Sequence, residues 1–348
     1  MQLEYKKNEN YLKFCINNEK KIKKKKKHHP KISIIYPIFN REKYLLRFLK
    51  SIQYQNFNDI EIIIIDDCSN DNSVNLLEKL VKQDKRIILI KNKKNRGTFI
   101  TRNIGIIYSK SKYLIAPDPD DIISKNILNI CYKYVEKYHY EIIRFNMYIG
   151  KKTLNMHQYI NKFSKKKVIQ PELSTHSFYG SNELQLIDLS ICNKFIKRDI
   201  YILALNILNN YYYNMYITYA EDTILNYILY RKAKSYLFLK DIGYYYIKNS
   251  LSITNNLFNK SNLKIKFIFI LLKFIFEFSK NTKYEKDMSN FLFTKLNLEF
   301  NLLIKLSIIN KNNIFEFLKG IITMYLNSKY ISKENKNLLL VFKNIIGF

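Results

Sequence analysis

Between residues 31 and 145 the sequence alternates short, fully apolar runs with stretches of helical periodicity. This alternation limits the possible folds more than any other feature. Ile32–Tyr36, closed by Pro37, reads as a buried strand, and so do 61–65, 86–90, 113–116 and 141–145. Between them, 42–53 places Tyr44, Leu45, Phe48, Leu49 and Ile52 on one helical face, and 73–83 does the same with Val74, Leu77, Leu80 and Val81. Segments 98–108 and 124–138 complete the series. Strands apolar on both faces and separated by helices predict an α/β fold: a Rossmann-like, mostly parallel sheet with helices on both faces. Ligands of such sheets sit at the carboxyl ends of the strands. Pro37–Asn40, Asp66–Asp71 and Asp118–Asp121 all fall there.

The rest of the chain divides around this core. Residues 1–30 form a basic tail with lysines at 20, 21 and 23–27, and 31–255 form the α/β domain. Residues 256–348 are long, apolar and helical, which predicts a C-terminal all-helical appendage. It is read either as a bundle packed on the α/β domain or as a Lys- and Phe-rich face in peripheral contact with an anionic membrane. No run reaches 18 uninterrupted apolar residues and the N-terminus has no apolar signal core. A cytoplasmic protein is expected, not a multi-pass synthase. Cys15, Cys68, Cys131 and Cys192 match neither a disulfide framework nor a zinc site. The net charge of +30 favours anionic ligands. It is carried almost wholly by Lys in a chain also rich in Asn, Ile, Tyr and Phe, a codon-bias signature, so no nucleic acid partner is expected.

The acidic clusters carry the chemistry. Asp118, Asp120 and Asp121 crowd three carboxylates into four positions, where they repel one another. A hard divalent cation, Mn²⁺ or Mg²⁺, relieves that repulsion. Asp121 is alternatively a cap for the helix after Ser124. Asp66-Asp67 directly follows a strand, and Asp71 or Ser73 suits the cap of the next helix. Arg102, in a chain poor in Arg, sits on a helix flank between the two clusters, where its fork suits a phosphate. Glu221-Asp222 opens a further helix, and Asp222 is either its N-cap or a general base.

Taken together, these motifs resemble the family 2 glycosyltransferases of the GT-A fold. The resemblance runs through Ser33–Asn40, Ser51–Gln55, Glu61–Ser69, Asn95–Gly105, Asp118–Asp121, Cys192–Phe195, Glu221-Asp222 and Tyr246–Thr254. It implies inverting transfer from a nucleotide-diphosphate sugar, usually a UDP-sugar, to a hydroxyl of a glycan, lipid-linked or protein acceptor, with Mn²⁺ or Mg²⁺. It places Pro37 and Phe39 beside the uracil, Asp67 on the base with Asp66 adjacent, and Asn95 and Arg102 near the ribose and diphosphate. Asp118 falls on the ribose side and near the metal, Asp120 on the metal, and Asp222 on the acceptor as base with Glu221 beside it. The family usually has Gly where Cys68 stands, so a left-handed turn there is strained. A processive synthase is disfavoured, since its Arg-Trp signature needs a Trp and the chain has none. A sugar nucleotidyltransferase lacks its Gly-rich loop here. A non-catalytic basic binding protein would be expected to have lost the acids, and all are present.

Overall fold

The computed structural model describes residues 29–150, 168–169, 190–211 and 221–247. The lysine run at 20–27, most of 150–190 and the appendage from 256 lie outside these residues.

The chain enters as β1 (Ile32–Ile38), α1 (Glu42–Gln53), β2 (Ile60–Asp66), α2 (Ser73–Gln83), β3 (Ile87–Lys91), α3 (Thr98–Tyr108) and β4 (Tyr113–Ile115). It continues as β5 (Ile122–Ile123), α4 (Ile127–Tyr138), β6 (Ile142–Gly150), β7 (Val168–Ile169) and β8 (Lys194–Lys197). α5 (Arg198–Tyr211), α6 (Glu221–Lys232) and β9 (Tyr236–Ile247) complete the described elements. Strands β1 and β2 are buried at every position, as their continuous apolar runs require. Pro37 does not end β1. It remains in the strand, aligned with Ile65 of β2.

The sheet order is β3-β2-β1-β4-β8-β6-β9-β5, with β7 on β9. Four neighbours, β3, β2, β1 and β4, are parallel, as expected. Beyond β4 the longest pairing, β6 with β9, is also parallel, in keeping with a mostly parallel sheet, but shorter antiparallel pairings are mixed in. There β8 inserts antiparallel between β4 and β6, and β5 and β7 run antiparallel to β9. The sheet is mixed because these are late, non-local pairings, which local periodicity does not encode. One local expectation also moved: the helix anticipated over 124–138 begins at Ile127, and Ile122–Ile123 just before it form a short strand paired with Tyr245 and Tyr244 of β9.

The helices pack by the stripes read from the sequence. α1 buries Leu45, Phe48, Leu49 and Ile52. The loops before α1 and α2 clasp each other. Asp71 accepts from the backbone N–H of Ser73 at 3.0 Å and of Glu42 at 3.1 Å, and Ser73 Oγ accepts from the N–H of Arg41 at 3.0 Å. One carboxylate therefore satisfies orphan donors at two helix starts.

α3 lies close against the parallel strands because residue 105 is Gly. A Cβ there would meet Ile65 Cδ1 and stand 2.6 Å from Ile35 Cγ2. Gly105→Ala is expected to destabilise the fold by about 1–3 kcal/mol through overpacking, read as a lowered urea midpoint with an unchanged slope. Among the described residues no helix is long and apolar enough to cross a membrane. Cys68, Cys131 and Cys192 are free thiols.

Candidate active site

Three strand ends and two helix starts converge at the carboxyl edge of the parallel strands. At the end of β1, Pro37 is buried and the Phe39 ring is 39% exposed, an aromatic surface left at the rim. The N–H of Asp67 donates to the carbonyl of Ile38 at 2.8 Å, which sets the end of β2 beside it.

The two adjacent carboxylates of β2 are both buried. Asp66 accepts from the N–H of Ser69 at 3.2 Å, closing the turn around Cys68. Cys68 has φ 66°, the left-handed conformation that Gly adopts without steric cost. Asp67 organises the loop before α3. Its Oδ1 accepts from Asn92 Nδ2 at 2.8 Å and from the N–H of Arg96 at 2.9 Å, and its Oδ2 accepts from the N–H of Gly97 at 2.8 Å. Gly97 sits at φ 84°, which only Gly adopts freely. Asn95 is exposed and its Oδ1 braces the same N–H at 3.1 Å. A carboxylate has about four acceptor positions, so Asp67 retains capacity for a ligand N–H while fixing the loop. Asn92, which sequence reasoning missed, is the buried partner that aligns Asp67. Its one signal in the sequence was its place directly after an apolar strand.

Arg102 lies on the helix flank expected from the sequence, but its fork does not stand free for a phosphate. It is 2% exposed, and its fork joins two carboxylates distant in sequence. Nη2 donates to Asp118 Oδ1 at 2.9 Å and Nη1 to Asp222 Oδ1 at 2.9 Å. The acids stay partly open, at 34% and 25%. Burial opposes the charge on the guanidinium, but Asp222 and Asp118 outweigh it and hold Arg102 firmly protonated. Burial lifts the Asp118 carboxyl above the usual range against the pull of Arg102, and the charge of Asp222 adds to the rise. The other oxygen of Asp222 faces the N–H of Ile191 at 3.4 Å. The Asp222 carboxylate is thus bound to Arg102 as well as standing in the first turn of α6.

Asp121 does not cap α4. Its Oδ2 accepts from the Tyr244 hydroxyl at 2.6 Å and its Oδ1 from the N–H of Ile247 at 2.9 Å. Burial, with Asp118 adding, pushes its pKa up to about 8. Tyr244 also accepts from the N–H of Asp118 at 3.0 Å, so one phenol holds both ends of the acidic segment. The signal for Tyr244 lay beyond local reading, because it reaches this site only through the β5–β9 pairing. Asp120 is half-buried, and Arg47 donates to its carbonyl at 2.5 Å. Its carboxylate accepts no hydrogen bond among the described residues.

Whether these acids suit a divalent cation can be judged from the donor set. Among the described residues no three His, Cys, Asp or Glu side chains converge as a metal cage. A cation held by one or two carboxylates and completed by substrate phosphates needs no such cage. The unengaged Asp120 and the uphill ionisation of Asp118 and Asp121 fit that looser arrangement. Glu221 opens α6 beside Asp222; its side chain is outside the described residues.

A parallel β-α half-sheet with acids at its carboxyl edge, continued by a mixed half that carries the DPDD segment and the α6 carboxylate, is the layout of a GT-A glycosyltransferase domain. Residues 33–201 match the Glycosyl transferase family 2 model, which marks this part of the chain as a domain of that family. It is 29% identical over 237 residues to the poly(ribitol-phosphate) beta-N-acetylglucosaminyltransferase TarP of Staphylococcus aureus, covering 66% of this chain and 67% of TarP. It is 32% identical over 117 residues to the glycosyltransferase GlyG of Streptococcus pneumoniae, covering 34% of this chain and 39% of GlyG. The chain therefore spans well under two thirds of the GlyG relative. Among solved structures, S. aureus TarS 1–349 in complex with UDP-GlcNAc superposes with a TM-score of 0.64 at 18% identity, covering 88% of this chain and 83% of that one. That likeness establishes the fold.

Proposed function

We propose that this domain transfers a sugar, with inversion at the anomeric carbon, from a UDP-sugar to an acceptor hydroxyl. The observation that carries the reading is the Arg102 fork, which brings the Asp118 and Asp222 carboxylates together on one guanidinium; the reading assigns Asp118 to the donor side and Asp222 to the acceptor side. Inverting transfer needs two such groups on opposite sides of the sugar.

On the donor side, Phe39 offers a ring to the base and Asp67 an acceptor for its N–H. The loop that Asp67 fixes places Asn95 at the rim. A divalent cation held by Asp120 with Asp118 would supply charge neutralisation for the departing diphosphate. On the acceptor side, Asp222 takes the proton from the attacking hydroxyl. The new C–O bond forms as the bond to the UDP oxygen breaks on the far face, and UDP leaves with the electron pair. Arg102 keeps the base oriented, and Glu221 stands next to it in the chain.

The likeness to TarP makes UDP-N-acetylglucosamine the first donor to test and a polyol-phosphate chain the first acceptor. The deciding assay incubates the protein and Mn²⁺ with UDP-, GDP- and dTDP-sugars and reads released nucleotide. UDP release from one UDP-sugar, raised by acceptor, is the expected result. Pyrophosphate release from UTP and a sugar phosphate would instead assign a nucleotidyltransferase. Nucleotide binding without turnover would assign a binding protein.

A further inference from the structure

The second concentration of charge lies at the opposite edge of the sheet. β1 and β4 are parallel, so Lys31, just before β1, and the 110–113 segment opening β4 both stand at the amino ends. β8 runs antiparallel to β4, with Lys197 opposite Tyr113, which brings Arg198 and the start of α5 to the same edge. Between them is a cavity of about 830 Å³ walled by Lys31, Lys110, Lys112, Tyr113 and Arg198, with Glu136 and Asp199 as the acids.

The cations outweigh the acids in effect as well as in number. Lys31 and Glu136 are 3.9 Å apart and both largely exposed, a pair too loose to occupy the lysine. Asp199 lies in the first turn of α5, where the helix end already favours negative charge. Arg198 is buried and fixed, donating to Ser109 Oγ at 2.9 Å and the Ile107 carbonyl at 3.0 Å, so it contributes a rigid charge. The Tyr113 hydroxyl is buried with no hydrogen-bond partner, an orphan donor that burial otherwise penalises. Burial, with Glu141 adding, pushes its pKa up to about 12, so it stays a donor.

We propose that this cavity binds phosphate groups of an anionic ligand, with Lys31, Lys110 and Lys112 as mobile contacts, Arg198 as a fixed charge and Tyr113 as a neutral donor. The site is separate from the acidic edge and does not depend on the transfer reaction. The phosphates come either from a free oligophosphate or from a phosphodiester chain. Inorganic tripolyphosphate and a synthetic glycerol-phosphate oligomer represent the two, and the tighter probe identifies the source.

The test is calorimetric titration of the full chain with each probe. It compares wild type, Lys31→Glu/Lys112→Glu, and a control, Lys79→Glu/Lys82→Glu on α2, that changes net charge equally. Saturable binding of at least one probe is expected, weakened roughly tenfold or more by the cavity pair and less than about twofold by the control. An unchanged thermal midpoint serves as the check that the variants fold. Equal weakening by both pairs, or no saturable binding of either probe, overturns the proposal.

Discussion

Asp222→Asn is expected to lower turnover by roughly 10²–10⁴-fold while leaving donor affinity nearly unchanged, because a general base acts on the acceptor and not on the nucleotide. Asn is close in shape, and its Oδ1 can still accept from Arg102 Nη1, which now bonds Asp222 at 2.9 Å. The geometry around Asp118 therefore has a reason to persist, and the thermal midpoint checks that it does. The measurement is kcat with saturating acceptor, beside UDP binding by titration. Turnover equal to wild type would reduce Asp222 to an anchor for Arg102. Loss of UDP binding together with turnover would assign it to the donor side.

Asp120→Ala is expected to remove the Mn²⁺-dependent part of UDP-sugar binding, with affinity falling roughly tenfold or more. The fold is expected to survive. The Asp120 carboxylate accepts no hydrogen bond among the described residues, so its removal orphans no donor there, and the Arg47 contact is to its carbonyl. Losing one of three crowded charges also relieves Asp118 and Asp121, each already harder to ionise than an ordinary carboxyl. Titrating UDP-sugar into both proteins, with Mn²⁺ and then with EDTA, separates the cases. Equal binding in Mn²⁺, with EDTA silent on both, would falsify the assignment of Asp120 to a cation.

The parallel half of the sheet was legible in the sequence because its signals are local. Helices at 42–53, 73–83 and 98–108 have the boundaries their apolar spacing predicts, since each buries one stripe against strands that flank it in sequence. The mixed half was not legible. A two-residue strand at Ile122–Ile123 has too little pattern to announce itself, and its pairing with β9 is decided more than a hundred positions later. The candidate site divides in the same way. The acids were visible as residue types at strand ends, and Cys68 was visible as a misfit in a turn that now shows φ 66°. Their connections were hidden. That Asp67 spends hydrogen bonds on residues 92–97, that Asp121 answers to Tyr244, and that Arg102 is buried are facts of packing between distant segments.

The shared guanidinium has a further consequence for inheritance. Positions 102, 118 and 222 lie on three separate stretches of chain, yet a change at either acid leaves the same buried cation short of countercharge. The first such change leaves Arg102 one countercharge and the second leaves it none, so the second carries the larger penalty. Selection therefore meets the three codons as one locus. A descendant that had lost one acid would be held the more firmly to the other, and a change at position 102 would release both.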